Sequence, residues 1–269
     1  MHFRTLTLLL LSLVALPAAA AEPFAGKKSA WQGFDRFDFE VDGRNAIVVT
    51  PKEPAEGRPW LWRGEFFGAF ATVDKALVEK GWHVAYLGCA NTFGSPDTLK
   101  RMTGFYDLLT GKHGLSAKPV LLGMSRGGLY VYRWAAEHPD RVGLIYGDAP
   151  VCDIKSWPGG KGKGKGSPRD WALFQQVFGF KTEQEAMDFK GNPIDVLEPI
   201  AKAKIPIIHV VGDADDVVPV PENTDVVEAR YKQFGGTMEV IRKKGVGHHP
   251  HALADPTPIV AFIEKHRLR

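Results

Sequence analysis

The chain has 269 residues, 44% of them hydrophobic, and sets 34 Lys and Arg against 31 Asp and Glu for a net charge of +3. That is enough apolar material for one α/β domain with a full core, and too little basic excess to argue for a nucleic-acid partner. The two cysteines, Cys89 and Cys152, cannot build the dense disulfide framework of a small secreted domain.

Residues 1–20 read as a signal peptide. Arg4 supplies the positive start, Leu6 to Leu16 the apolar core, and Ala18-Ala-Ala20 the small residues for cleavage near Ala20. The stretch is short for a bilayer span, and Pro17 and the alanines end it. The expectation is an exported chain, secreted or periplasmic, with a single domain at 21–269 and no membrane span in its mature form. Export permits a Cys89–Cys152 disulfide; pairing and free burial both stay open.

Phe34 to Val41 alternates, and Ala46 to Val49 is an apolar run; Asp42-Gly43 between them predicts an antiparallel hairpin. A turn-rich loop, Pro51 to Pro59, leads to a strand at Trp60-Leu-Trp62, followed by Arg63-Gly-Glu65-Phe-Phe-Gly68. Phe70, Val73 and Leu77 have helical spacing up to Gly81. A strand over 82–87, a loop over 88–96 and a helix over 97–109 come next. Val120-Leu-Leu122 is a short apolar strand, and Leu129, Tyr132 and Ala136 mark one face of the helix that follows. Further strands are predicted at 142–146, 205–211 and 238–241, with helices at 222–234 and 258–266. Such alternation predicts a mostly parallel central sheet with helices on both faces.

Residues 150–200 interrupt the alternation. Trp157-Pro-Gly-Gly-Lys-Gly-Lys-Gly-Lys-Gly166 is expected to be a mobile loop, because glycine and lysine bury no apolar surface. Trp171, Phe174, Phe178 and Phe180 after it suggest a short helical insertion that acts as a lid, or a surface excursion away from substrate.

Between the strand at 120–122 and its helix stands Gly123-x-Ser125-x-Gly127, which matches the G-x-S-x-G nucleophile elbow. Such a turn holds its serine in a strained conformation at the top of a sheet, and its neighbours must be small where strand and helix nearly touch. Two further segments join it. Gly212-Asp-Ala-Asp215-Asp-Val-Val218-Pro219 looks like a G-x-x-D-x-x-V-P acid signature, and Gly247-His248-His-Pro-His251 resembles a G-H-x-P-H segment before a last helix. On these motifs, nearly the whole chain from about residue 34 to 267 resembles the α/β-hydrolase superfamily, with serine, acid and histidine in the chain order that this fold uses.

The resemblance implies Ser125 as nucleophile, His248 as base and Asp215 as the acid that holds the tautomer of His248. Asp213, Asp216 and Asp148 are the competing carboxylates. It implies an oxyanion hole from the backbone N–H groups of Arg126 and Glu65, with Gly64 the next donor; Arg63-Gly64 stands where His-Gly is usual. Arg63, Glu65 and Arg126 would bring charge to the pocket, or pair with one another to hold loops; Arg63, Trp157 and Trp171 are the candidate substrate contacts. No cofactor and no metal are expected: His249 and His251 read as structural hydrogen-bonders, since no Cys, His or Glu elsewhere stands at metal-ligand spacing. The predicted activity is serine-dependent carboxylic ester hydrolysis on a small-molecule or carbohydrate ester. A peptidase of the same fold is the alternative within the superfamily, although such enzymes usually carry an added propeller or larger cap for which this length leaves no room. A non-catalytic exported binding protein is the alternative outside enzymology.

Overall fold

The structure, a computed structural model, describes residues 23–268; the expected signal peptide lies outside the described residues. The predicted hairpin forms. Strands β2 (Phe34–Val41) and β3 (Arg44–Thr50) pair antiparallel about Asp42-Gly43, both of which take positive φ (49° and 71°) as a tight hairpin requires. β1 (Lys27–Trp31) pairs antiparallel with β2. Its first four residues are exposed and only Trp31 is buried, so it carries no hydrophobic pattern from which a strand could be read.

Six further strands follow: β4 (Trp60–Arg63), β5 (His83–Leu87), β6 (Val120–Met124), β7 (Leu144–Asp148), β8 (Ile207–Gly212) and β9 (Met238–Lys243). All nine form one sheet in the order β1-β2-β3-β5-β4-β6-β7-β8-β9. β3 meets β5 antiparallel, and from β5 to β9 every pairing is parallel. Every residue of β4, β6, β7 and β8 is buried, the condition of strands covered on both faces.

The helices are α1 (Thr72–Glu79), α2 (Pro96–Asp107), α3 (Gly128–Glu137), α4 (Pro168–Phe178), α5 (Glu183–Met187), α6 (Leu197–Lys202), α7 (Thr224–Gln233) and α8 (Thr257–His266). Successive strand residues point to opposite faces and so feed two cores. Trp60, Trp62, Leu121, Ile145 and Ile207 pack with α2, α3, α6 and α7. Leu61, Val120, Leu122, Leu144 and Ile208 pack with α1 and α8. The Trp-Leu-Trp strand earns its residues on the first face: Trp62 stacks on Trp60 at 5.3 Å between centroids and meets Trp134 edge-on at 4.9 Å. Burying each such ring contributes roughly 1.5–3 kcal/mol.

The insertion at 150–200 contains α4, α5 and α6. α4 starts where Ser167 accepts a hydrogen bond from Asp170 N–H, with Pro168 in the first turn, and stops at Gly179 in the left-handed region (φ 73°). The Gly/Lys tract departs from the expected free loop. The Lys163 N–H donates to the Glu222 carboxylate, Lys165 pairs with Asp216, and Lys161 Nζ lies 2.5 Å from Glu183. A Cβ on Gly162 would sit 2.4 Å from the Glu222 carboxylate oxygens, so glycine here permits close approach of the tract to the domain. Composition alone suggested flexibility; tertiary contacts anchor the segment. Among the described residues no helix is long and apolar enough to cross a membrane.

Candidate active site

Ser125 follows β6 directly, in a tight turn that runs through residues 125–127 into α3. Its φ is +47°, a left-handed conformation that costs a non-glycine residue on the order of 1–3 kcal/mol. Of the two flanking glycines Gly123 is sterically required, whereas a Cβ on Gly127 would meet only Glu65, at 3.5 and 3.6 Å. A Cβ on Gly123 would lie 2.7 Å from Val131 Cγ2 and 3.0 Å from Gly128 Cα. The turn thus lifts a partly exposed hydroxyl above the sheet while β6 and α3 stay in contact.

Asp215 lies three residues beyond β8, and His248 in the loop between β9 and α8. Both sit at the C-terminal edge of the parallel strands, where crevices form in open α/β sheets. Ser125 Oγ is 3.0 Å from His248 Nε2, and His248 Nδ1 is 2.7 Å from Asp215 Oδ2. The other carboxylate oxygen of Asp215 accepts the N–H groups of Val217 and Val218 at 2.9 and 2.8 Å. This fixes the carboxylate and explains why that position suits an aspartate. Asp213 instead accepts the Gly245 N–H, and Asp216 turns outward to Lys165; neither joins the histidine.

Asp148 ends β7, between β6 and β8, and forms a second pair. Its Oδ1 is 3.1 Å from His251 Nδ1, and its Oδ2 accepts the Tyr146 hydroxyl and the Ala252 N–H at 3.0 and 2.7 Å. The His248 and His251 rings are 4.7 Å apart between centroids. A cleft of about 210 Å³ opens here, lined by Phe66, Ala69, Phe70, Met124 and Ser125 with His248, His249 and His251. Phe66 and Phe70 are 38% and 41% exposed, large for phenylalanine. Sequence reading missed both. The spacing of Phe70 with Val73 and Leu77 fits a buried helix face, yet Phe70 lies before α1 and packs against His249 and His251.

For the oxyanion hole, Gly64 N–H is already donated to Leu122 O at 2.9 Å. The Glu65 N–H has no hydrogen-bond acceptor among the described residues, and Glu65 N would be 3.5 Å from a Cβ on Gly127. It therefore faces the elbow, as does Arg126 N–H in the first turn, where amides lack intrahelical partners. The Glu65 side chain is 2% exposed and takes a bidentate pair from Arg126 at 2.9 and 2.5 Å. Burial raises the Glu65 pKa, while the Arg126 guanidinium and the Asn91 N–H pull it down. Asp170 of α4 reaches Arg126 at 3.6 Å, so the insertion touches the residue next to Ser125.

Three expectations need correction. Arg63 is not a substrate contact: it is fully buried, with its guanidinium on Asp74 at 2.8 Å and on Ala69 O at 2.9 Å. β4 carries it into the core, and Asp74 of α1 neutralises it there. Trp171 and Trp157 do not line the cleft beside Ser125. Trp171 is 8% exposed and stacks on Phe174, which also meets Phe93, Phe178 and Phe189. The half-buried Trp157 packs toward Phe93. Their aromatic surface joins the insertion to the core on the α2/α3 side of the sheet, through Phe93. Cys89 and Cys152 are both buried free thiols.

No protein-family model matches the chain, and no curated protein matches its sequence. Solved structures do match in shape. Dipeptidyl peptidase 4 of Porphyromonas gingivalis superposes over 88% of this chain with a TM-score of 0.65 at 14% identity. A puromycin-hydrolyzing peptidase of Mycobacterium tuberculosis covers 86% with a TM-score of 0.65 at 15% identity, and acylaminoacyl peptidase of Pyrococcus horikoshii covers 86% with 0.63 at 12%. In each case the chain spans only part of the neighbour's length: 36%, 38% and 41% respectively. The sheet order, the elbow between β6 and α3 and these neighbours agree, and the chain has the α/β-hydrolase fold.

Proposed function

We propose that the protein is a serine hydrolase. The observation that carries this is the continuous Ser125–His248–Asp215 chain of hydrogen bonds, 3.0 and 2.7 Å long. Ser125 Oγ attacks an acyl carbonyl as His248 Nε2 takes its proton, and Asp215 stabilises the imidazolium that forms. The Arg126 and Glu65 N–H groups receive the oxyanion. Collapse expels the leaving group, protonated by His248, and water activated by the same histidine hydrolyses the acyl-enzyme.

A peptide or aminoacyl amide is the leading substrate class, supported by the peptidases among the structural neighbours. The second reading is a short-chain carboxylic ester, a carbohydrate acetyl ester included; the small volume of the cleft favours it. The test has two parts. Ser125→Ala should lower kcat by on the order of a thousandfold or more and abolish fluorophosphonate labelling, and near-wild-type turnover in that variant sinks the mechanism. Comparing aminoacyl and dipeptidyl anilides with p-nitrophenyl esters of graded acyl length and acetylated polysaccharide then ranks the two substrate classes by kcat/KM.

A further inference from the structure

The triad uses one face of one histidine, but three imidazoles meet at the cleft. The ligating nitrogens of His248, His249 and His251 all lie within 4.8 Å of one another. The rings stand nearly perpendicular in pairs, at 75°, 80° and 84°, with centroids 4.7 to 5.0 Å apart. We infer that these three histidines bind a transition-metal dication across the mouth of the cleft, and that the bound ion switches the hydrolase off by taking His248 Nε2 away from Ser125.

Tautomers support this directly. His248 and His251 each turn Nδ1 to a buried carboxylate, Asp215 and Asp148. A carboxylate draws the ring proton to Nδ1, which leaves Nε2 unprotonated in both rings, accepting the Ser125 hydroxyl in His248. Histidine ligands of zinc have this backing: the far N–H goes to a carboxylate, which orients the ring and raises its basicity. Asp148 is itself held by Tyr146 and Ala252, and His251 Nε2 has no hydrogen-bond partner among the described residues. Two buried carboxylates behind the rings also supply negative charge toward a dication.

Tetrahedral coordination at Zn–N distances near 2.1 Å spaces ligand nitrogens about 3.4 Å apart, so the cluster must close by roughly 1–1.5 Å. His249 can supply that movement, being exposed and held by ring contacts with Phe70, His248 and His251. Three neutral nitrogens select ions of the zinc, copper and nickel class over calcium or magnesium, which want oxygen. Sequence spacing argued against a metal because no Cys, His or Glu elsewhere stood at metal-ligand spacing. Folding changes that argument: one loop supplies all three ligands, and β7 and the turn after β8 supply the carboxylates behind two of them.

The binding claim rests on geometry alone; the switch rests also on the serine-hydrolase reading. Zn²⁺ titrated against a chromophoric chelator should show one saturable site per chain in the wild type, and at least equal affinity in Ser125→Ala. His249→Ala, His251→Gln and Asp148→Asn should each weaken binding by about tenfold or more. His249→Ala keeps this decisive, because an exposed side chain can be removed without threatening the fold. In turnover assays Zn²⁺ should inhibit in step with occupancy and a chelator should restore activity. His249→Ala, normalised to its own metal-free rate, should need at least tenfold more Zn²⁺. Lack of saturable binding, or equal affinity in His249→Ala and His251→Gln, overturns the site. Saturation without inhibition of an enzyme that requires Ser125 overturns the switch, whereas turnover that survives Ser125→Ala removes the hydrolase reading and leaves the binding result standing.

Discussion

Two carboxylate–imidazole pairs sit side by side at the C-terminal edge of the sheet. Asp215–His248 and Asp148–His251 share their chemistry: each aspartate is 1% exposed in its side chain, and each turns a histidine by its Nδ1. They differ in what lies in front of Nε2. His248 meets Ser125 Oγ at 3.0 Å, while His251 faces the cleft. They differ also in support. Asp215 is gripped by two backbone N–H groups of its own turn, whereas Asp148 holds a side chain and an amide from the histidine loop. A buried Asp–His pair is therefore not in itself a candidate triad. The strained serine opposite one of them makes the distinction, and the other pair anchors the loop that carries both histidines.

The largest expected effect separates the pairs. Asp215→Asn should lower kcat by about 10³–10⁴, because the amide favours the wrong His248 tautomer. Asp148→Asn should cost no more than about tenfold in kcat and show itself mainly in stability. One amide oxygen cannot replace two carboxylate oxygens that serve His251, Ala252 and Tyr146, and an unsatisfied buried group costs about 1–3 kcal/mol. Steady-state rates and urea unfolding of both variants check this. If Asp148→Asn is the crippling change, the roles of the two pairs are reversed.

A third buried carboxylate sharpens the comparison from outside the cleft. Asp74 is neutralised by the guanidinium of Arg63, with both side chains at most 1% exposed. Arg63→Met leaves that carboxylate buried without its counter-ion and should lower the unfolding free energy by about 3–5 kcal/mol. KM of the folded fraction should change little, since Arg63 meets the cleft wall only from behind, through Ala69 O and Met124 Sδ. A raised KM with normal stability would restore Arg63 as a substrate contact.

The smallest effect concerns buried histidines that have no carboxylate. Burial lowers the His209 pKa to about 3 and, with the charge of Arg58, the His83 pKa to about 4. His209 is bonded instead to Tyr132 and Thr224 hydroxyls. Below the ordinary histidine pKa near 6.5 the unfolded chain takes up protons at these positions and the folded chain does not. Their contribution is therefore complete above pH 6.5 and is lost as pH falls toward 4 and then 3. The urea midpoint should decline over that window, and His83→Gln should flatten the upper part of the decline. An unchanged slope in His83→Gln removes His83 as a source.

Much of this arrangement was legible in the chain. The apolar runs at 60–62, 120–122 and 205–211 had to be covered on both faces, so a parallel sheet followed from them. Gly123-x-Ser125-x-Gly127 demanded a tight strand-to-helix turn, and at Gly123 a larger residue would collide with Val131 and the start of α3. Asp42-Gly43 fixed the register of β2 on β3 through its turn geometry. Local sterics and side-chain period act over a few residues, and a linear sequence displays them. Whatever depends on which distant strands become neighbours stayed hidden. Arg63 read as a pocket charge until α1 brought Asp74 to it, and the Gly/Lys tract read as free until Glu222 and Asp216 received it. Asp148 and His251, 103 positions apart, became a pair only when β7 was laid between β6 and β8. The chain alone determined its hairpin turn, its buried strands and its candidate nucleophile, though not the exposed β1; tertiary structure decided which charges met, because Coulomb and hydrogen-bond partners are chosen by distance in space.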